Sequence, residues 1–144
     1  MNYTIKQERI SDKAYIDFLK TSDLGHQYPH ERFKERIAKL VTNADISLTA
    51  RNESNEIIGV LLGLSDFAYY LFVTDLGVSR DWINQGIGKQ LMEKALTICG
   101  GSHDISVTLI ANDKAIGFYE KIGMHKANDM MVYSEVDWTP FIVK

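Results

Sequence analysis

Two glycines, at positions 86 and 88, lie where a strand-like segment gives way to a helix-like one. The residues from Tyr69 to Val78 are rich in aromatic and β-branched side chains, as strands are. From Ile87 to Cys99, apolar residues recur every three or four positions, and a Gly-Gly pair then ends the pattern. The first amides of a helix lack intrahelical partners, and glycine allows a phosphate to approach them closely. The turn is therefore a candidate anion site, the alternative being an ordinary glycine-rich connection.

Two well-known phosphate motifs do not fit this turn. A dinucleotide fingerprint would need a third glycine where the chain has Leu91. A P-loop would need glycine at Ile83 and serine or threonine at Gln90. A regulator that binds ATP or NAD through these glycines is therefore poorly supported.

The remaining pattern predicts ten elements in the order β-α-α-β-β-β-α-β-α-β. The predicted strands are Tyr3–Glu8, Ile46–Arg51, Ile57–Leu64, Tyr69–Val78, Ile105–Ala111 and Met130–Ser134. The predicted helices are Ser11–Leu19 with Ser11 as N-cap, Arg32–Leu40, Ile87–Cys99, and a short helix capped by Asn112 or Asp113 that ends at Gly123. The loop Thr21–Glu31, the hairpin turn Asn52–Glu56 and a tail from Trp138 that contains Pro140 complete the chain.

A second motif lies in the short fourth helix, where Asn112, Ala115, Phe118, Tyr119 and Gly123 follow the pattern N-x-x-A-x-x-F-Y-x-x-x-G. Together with Leu76-Gly77-Val78 at the strand end and Gly86-Ile87-Gly88 in the turn, it resembles the GNAT superfamily of acyl-CoA-dependent N-acyltransferases. Gln85 matches the family's Q/R-x-x-G-x-G/A signature in a site that is commonly Gln. The first Arg or Gln of that signature is Ile83 here, which we expect to weaken cofactor binding without abolishing it.

The resemblance covers nearly the whole chain and implies an α/β (α+β) GNAT fold. The expected architecture is a central mixed sheet of six to seven strands, flanked by about four helices, in a single domain over residues 1–144. The chain is also similar to a bacterial group of the superfamily in which Asp-Phe, here Asp66-Phe67, precedes the central strand.

By resemblance, the cofactor is acetyl-CoA (coenzyme A). The amides from Asn84 to Lys89 would hold the pyrophosphate, and the backbone of Leu76 and Val78 would pair with pantetheine almost as an added strand. The expected cofactor-binding residues are Leu76, Gly77, Val78, Ile83, Asn84, Gln85, Gly86, Ile87, Gly88, Lys89, Asn112, Phe118 and Tyr119.

Tyr119 is the expected general acid, because a phenol with a pKa of about 10 stays protonated and can donate to a departing thiolate. The alternative is an aromatic packing residue. Asp75 and Asp66 are candidate bases for the acceptor ammonium, with Asp75 preferred because it adjoins the strand end. Asp75 could instead be a structural acid, and Asp66 a turn former. Cys99 lies too far along its helix to be a nucleophile, which favours direct transfer.

The acceptor site is expected to involve His26, Tyr28, Asp66, Phe67 and Tyr70. The acidic candidates suit a cationic amine, either a small-molecule amine or an amine of a peptide or protein. The alternative interpretation of the loop that carries His26 and Tyr28 is a surface connection with incidental histidines. Pairing through the last strand or the tail is one route to a homodimer, as in many members of the family.

Composition narrows the function classes. The chain has 144 residues, a net charge of −3, a pI near 5.8 and a mean hydropathy of −0.16. These values disfavour a nucleic-acid partner, and the apolar runs are too short for a membrane span. One cysteine and four scattered histidines predict no disulfide and no metal site. Because no basic-then-apolar leader is present, the expected location is cytoplasmic.

A rival function keeps the same fold without turnover. In this alternative the chain is a non-catalytic acyl-CoA sensor or interaction module. Ile83 is the residue that best supports it, and Tyr119 together with Asn112 argues against it.

Overall fold

The computed structural model describes residues 2–138 and 141–144, apart from the side chain of His26. This part of the chain forms five strands, four α-helices and two 3₁₀ helices, one of which, Asp23–Gln27, we name the loop helix. The strands are β1 (Tyr3–Gln7), β2 (Ile46–Asn52), β3 (Ile57–Ser65), β4 (Tyr70–Val78) and β5 (Ser106–Leu109). The helices are α1 (Asp12–Leu19), α2 (Phe33–Asn43), α3 (Ile87–Cys99) and α4 (Ile116–Lys121), and the second 3₁₀ helix is Arg80–Trp82.

The strands form one mixed sheet in the order β1-β2-β3-β4-β5. The first three pairings are antiparallel, whereas β4 and β5 are parallel because α3 returns the chain to the same end of the sheet. The fold is the predicted α/β GNAT fold. Its sheet has five strands in the described residues, against the six to seven expected.

Each face of the sheet has its own buried apolar cluster. The α3-side core lies under α3 and consists of Ile46, Leu48, Ala50, Ile58, Leu61, Leu71, Val73, Ile87, Leu91, Met92, Ala95, Cys99 and Ile105. The α1–α2 core lies on the opposite face and consists of Ile10, Tyr15, Phe18, Leu19, Ile37, Val41, Ala44, Val60, Leu62 and Val143. The apolar stripe of each amphipathic helix thus covers one face of the sheet.

A β-bulge in β4 changes which face its side chains meet. Leu62 of β3 is opposite Asp75 and Gly63 is opposite Val73, so Thr74 is the extra residue. Before the bulge, Val73 belongs to the α3-side core. After it, Asp75 contacts Tyr15 of α1 on the other face.

The pairing of β4 with β5 ends early. It runs from Tyr70↔Ser106 to Val73↔Leu109, although β4 stays paired with β3 as far as Val78. Among the described residues, no strand lies beside β4 from Thr74 to Val78 on the side of β5. A backbone edge five residues long is therefore open.

Several predicted element boundaries are confirmed. The side chain of Ser11 accepts a hydrogen bond from the amide of Ala14 at 3.0 Å, and α1 then runs to Leu19. The α3 helix spans Ile87–Cys99 as predicted and ends at Gly100, whose φ of +143° favours glycine. Gly123, at φ +101°, follows the end of α4.

The predicted strand Met130–Ser134 is wrong. Residues 125–138 are described, and none of them is in a helix or strand. Their side chains are exposed, with Met131 at 94% and Tyr133 at 90% of full exposure, because no neighbouring strand covers them. In the predicted tail, Phe141 packs edge-on against Phe33 and His30. Pro140 of this tail lies outside the described residues.

No helix among the described residues is both long and apolar enough to cross a membrane. Within the same residues, no group of three or more histidine, cysteine and carboxylate side chains is placed to hold a metal ion.

Candidate functional site

The predicted cofactor residues on β4 lie along its open edge. Leu76, Gly77 and Val78 are the last three residues of this strand, and Leu76 and Val78 pack against the α3-side core. Because only β3 pairs with this part of β4 in the described chain, the opposite edge can receive an extended ligand by strand addition.

The turn after β4 brings the second set of predicted cofactor residues together. Asn84 and Gly86 have φ angles of +64° and +80°, and Gly86 is the N-cap of α3 without a side-chain capping bond. The first α-helical hydrogen bond runs from the amide of Gln90 to the carbonyl of Gly86. The amides of Ile87, Gly88 and Lys89 precede it and have no acceptor within the helix. Three donors at a positive helix end therefore suit an anion.

Ile83 and Gln85 contribute no charged group to this turn. Ile83 is 56% exposed where the family signature has a polar residue. Gln85 is also exposed, and its carbonyl accepts a hydrogen bond from the hydroxyl of Tyr3 at 3.3 Å. The capacity of the turn to bind an anion therefore depends on backbone amides.

Gly88 allows α4 to lie against the start of α3. A Cβ atom on Gly88 would be 3.0 Å from the ring of Phe118, so a larger residue there would push this ring outward. Phe118 and Tyr119 form an edge-to-face pair with ring centroids 5.1 Å apart. Gly88, Phe118 and Tyr119 therefore belong to one packed unit.

Tyr119 borders the α3-side core, as Leu76 and Val78 do. Burial raises the pKa of its phenol above the usual value of 10. The phenol therefore keeps its proton at neutral pH, as a general acid must. Asn112 accepts a hydrogen bond from the amide of Ala115 at 2.9 Å, which fixes the turn that leads into α4.

Asp75 is a buried carboxyl group with one side-chain partner among the described residues. Only 3% of Asp75 is exposed, and Tyr15 donates a hydrogen bond to its Oδ2 at 2.6 Å. Burial raises its pKa to about 7, although the bond from Tyr15 acts in the opposite direction. Asp75 can therefore exist in either protonation state near neutrality.

The predicted acceptor residues fall into two groups. Tyr28 lies 3.0 Å from Tyr15, hydroxyl to hydroxyl, and so joins the surroundings of Asp75. His26 is in the loop helix, which packs on β4, but its side chain lies outside the described part of the structure.

The second group lies at the start of β4 and consists of Asp66, Phe67 and Tyr70. At about 3.3 Å per residue, the distance along the strand from Tyr70 to Asp75 is roughly 17 Å. The carboxylate of Asp66 accepts hydrogen bonds from the amides of Ala68, Tyr69 and Tyr70, which lower its pKa. These contacts are those of a turn former. The structure therefore does not bring this second group together with Asp75.

Arg80 was not singled out from the sequence, yet it holds the loop helix against the end of β4. Its guanidinium donates to the Oδ1 of Asp23 and to the carbonyls of Lys20 and Ser22, at 2.8 to 3.1 Å. Gly77 lies under the same loop helix, since a Cβ there would be 2.8 Å from the side chain of Leu24. No pattern in the sequence links Arg80 to this loop.

Tyr15, which donates a hydrogen bond to Asp75, is the other residue of the candidate site that sequence reasoning missed. It lies on the buried face of α1 and is itself fully buried. A buried tyrosine hydroxyl needs a hydrogen-bonding partner, and this requirement was the available signal.

Comparisons with known proteins agree with this geometry. The sequence profile of the Acetyltransferase (GNAT) family matches residues 12–124. Histone acetyltransferase TAP1 of Glycine max is 31% identical over 72 residues, which are 50% of this chain and 31% of that protein. The uncharacterised N-acetyltransferase ycf52 of Porphyra purpurea is 28% identical over 97 residues, which are 67% of this chain and 56% of that protein.

The matched regions thus span about a third to just over half of these relatives. Among solved structures, a GNAT-family acetyltransferase of Streptococcus pneumoniae superposes with a TM-score of 0.68 at 19% identity, covering 94% of this chain and 100% of the other. At that identity the superposition shows the fold alone. The family profile covers most of the chain, and the chain belongs to the GNAT family of acetyltransferases.

Proposed function

We propose that the protein is an N-acetyltransferase that moves an acetyl group from acetyl-CoA directly to a primary amine. The observation that carries the proposal is the open edge of β4, which leads straight into a turn with three unpartnered helix amides. An extended arm that ends in a pyrophosphate has the matching shape and charge.

The cofactor-binding residues fit this group mainly through backbone atoms. Leu76 and Val78 would hold the pantetheine arm, and the amides from Asn84 to Lys89 would hold the pyrophosphate. Gly77, Asn112 and Phe118 would shape the walls of the site. When bound, acetyl-CoA supplies an acyl thioester, which is already activated toward an amine. An amide at the end of β4 would polarise the thioester carbonyl by donating a hydrogen bond to its oxygen.

Tyr119 would donate a proton to the sulfur as the thiolate departs. Its phenol keeps its proton at neutral pH, as this role requires, and burial favours that neutral form. Asp75 would receive the proton that the acceptor ammonium must lose before it can attack. With a pKa raised to about 7, its carboxylate is a stronger base than an exposed aspartate.

The acceptor class is a primary amine, carried either by a small molecule or by a peptide or protein. The name of the Porphyra purpurea relative, an N-acetyltransferase, supports a nitrogen acceptor. Tyr28 and His26 are the proposed acceptor contacts nearest the loop helix. Asp66, Phe67 and Tyr70 would contact only an acceptor long enough to reach the start of β4.

A first experiment tests the cofactor by thermal unfolding with acetyl-CoA, CoA, ATP and NAD. A ligand at 100 times its Kd stabilises the folded protein by about 2.7 kcal/mol, which shifts the Tm by several degrees in a domain of this size. Acetyl-CoA and CoA should shift the Tm, and ATP and NAD should not. The absence of a shift with acetyl-CoA and CoA at millimolar concentration would refute the proposed cofactor.

A second experiment tests the role of Tyr119. Tyr119→Phe should lower kcat by on the order of 10-fold to 1000-fold if its phenol is the acid. The matched control is Tyr133→Phe, which removes a hydroxyl from an exposed tyrosine in residues 125–138 and should leave kcat unchanged. Equal kcat in wild type and Tyr119→Phe would remove this assignment.

The exposed Ile83 favours one alternative, a non-catalytic acyl-CoA-binding sensor. A sensor would show the thermal shift with acetyl-CoA but would release no CoA thiol with any amine. The same two assays therefore separate it from an enzyme.

A further inference from the structure

Three side-chain oxygens lead from the buried carboxyl group toward the surface. The Oδ2 of Asp75 lies 2.6 Å from the hydroxyl of Tyr15, which lies 3.0 Å from the hydroxyl of Tyr28. Tyr15 has a single hydroxyl proton and donates it to Asp75. Tyr28 must then donate to Tyr15, because a hydrogen bond between two hydroxyls needs one proton from one of them. The chain of donors therefore points inward, toward the carboxylate.

The two inner residues of this chain are buried, whereas the outermost is partly exposed. Tyr15 is fully buried, Asp75 is almost fully buried, and Tyr28 is half-buried. The ring of Tyr28 packs edge-on against Phe33 of α2, with centroids 5.9 Å apart, which fixes its position. Among the described residues, the hydrogen-bonded path from Asp75 outward thus runs through Tyr15 to Tyr28.

We propose that Tyr28, Tyr15 and Asp75 form a proton relay that deprotonates the acceptor ammonium. The inference rests on the proposed N-acetyltransferase function and deepens it. Tyr28 is the catalytic residue, because its free lone pair contacts the ammonium. Tyr15 and Asp75 are positioning residues that act through Tyr28.

The proton transfer balances without any further reactant. An N–H bond of the ammonium breaks as its proton binds the oxygen of Tyr28. The proton of Tyr28 passes to Tyr15, and the proton of Tyr15 passes to Oδ2 of Asp75. The amine is left neutral with its lone pair, and the carboxylate has become a carboxylic acid. The same path returns the proton to water after the product leaves.

The electrostatic surroundings agree with this role. Asp75 faces Tyr15 from α1 and, beyond it, Tyr28, while its cross-strand partner on β3 is the apolar Leu62. The pKa of Asp75 is raised by burial, and no charged side chain among those described contributes to the shift. A buried, ionised Asp75 lowers the stability of the folded protein. Its presence at this position therefore suggests a functional role.

The test begins with Tyr28→Phe, which breaks the relay at its outer end and leaves the bond between Tyr15 and Asp75 intact. Thiol release from acetyl-CoA is measured with spermidine, an aminoglycoside and a lysine-containing peptide. At about pH 7.5, where most of the Asp75 carboxyl group is ionised, the variant's kcat/KM for the amine should fall by on the order of 10-fold to 100-fold. The KM for acetyl-CoA should stay unchanged, because Tyr28 is not among the proposed cofactor contacts.

The pH profile distinguishes a relay from a structural hydrogen bond. The deficit of Tyr28→Phe in kcat/KM should shrink as the pH approaches the pKa of a free ammonium, about 10. The reason is that a neutral amine needs no base. A deficit that stays constant with pH would overturn the relay. Tyr133→Phe is the control, with the profile of the wild type.

Asp75→Asn supplies a second, nearly isosteric variant, since its amide oxygen still accepts the bond from Tyr15. Its deficit at about pH 7.5 should match that of Tyr28→Phe. The double variant should lose no more activity than either single variant, because all three residues serve one path. Additive losses would overturn the relay.

The outcomes also separate this inference from the proposed function. If the wild type and Tyr28→Phe turn over an amine equally fast, the relay is overturned and the proposed N-acetyltransferase function stands. No wild-type turnover with any of the three amines would overturn both.

Discussion

Replacing Asp75 with asparagine should change the stability of the protein in a pH-dependent way, which favours the variant increasingly as the pH rises. The folded pKa of Asp75 is raised from 3.8 to about 7. Below pH 3.8 the carboxyl is neutral in both the folded and unfolded chains, so its full contribution to stability is present. As the pH rises toward 7, the unfolded chain ionises while the folded protein retains its proton, and that contribution is lost.

The magnitude follows from the same two pKa values. A tenfold difference in proton affinity is worth about 1.4 kcal/mol, so the ionised group costs the folded protein about 4 kcal/mol at pH 8. Asparagine does not titrate, and burying its NH₂ group adds a cost that is the same at every pH. In a domain of this size, we expect the difference in Tm between variant and wild type to grow by about 10 °C from pH 4 to pH 8.

The assay is thermal unfolding of both proteins at half-unit steps across this range. Subtracting the two curves removes the titration of every other group, since the proteins differ only at position 75. The matched control is Asp129→Asn, the same change at an exposed carboxyl, which should give a flat difference. A flat difference for Asp75→Asn as well would refute the idea that a buried, raised-pKa carboxyl faces Tyr15.

Two further predictions concern other parts of the fold. Glu8 accepts hydrogen bonds from Thr49 and from Nε and Nη2 of Arg51, which lower its pKa to about 2. The contribution of Glu8 to the free energy of unfolding is present above pH 4.5 and is lost as the pH falls toward 2. In urea unfolding, Glu8→Gln should therefore lower this free energy by about 1–2 kcal/mol at pH 7 and by little at pH 2. Gly88→Ala should displace the ring of Phe118 and weaken acetyl-CoA binding by about tenfold in a titration, with the exposed helical position Gly117→Ala as the control. Unchanged affinity in Gly88→Ala would show that α4 need not lie so close to α3.

Those parts of the fold that depend on local chemistry were predictable from the sequence. Ser11 is a capping residue by type, and its side chain caps α1. The apolar spacing from Ile87 to Cys99 specifies one buried face, and α3 has these bounds. The motif glycines gave the position of the candidate anion turn, because only glycine tolerates the backbone of Gly86 at no cost.

What depends on long-range pairing was not predictable. Val132 and Tyr133 in the segment Met130–Ser134 are residue types that strands favour, but strand propensity reflects packing against neighbours, and this segment has no neighbouring strand in the described structure. Tyr15 and Asp75 are 60 residues apart, so nothing local connects them. Likewise, Arg80 meets Lys20, Ser22 and Asp23 only after β4 and the loop helix have packed together.

One irregularity, the bulge at Thr74, explains why the open edge and the buried acid lie side by side. A regular strand alternates faces, so without the bulge Asp75 would share a face with Leu71 and Val73. It would then enter the α3-side core, whose buried residues are apolar, and a carboxyl group is costly to bury among them. The extra residue sends Asp75 to the face of α1, where Tyr15 donates to it. Pairing with β5 ends at Val73, immediately before the bulge. The open edge of β4 therefore begins at the residue that moves Asp75 to the face of α1. Without the bulge, Asp75 would not face Tyr15 and could not act as the proposed base. We infer that the position of Thr74 places the open edge of β4 next to the proposed relay.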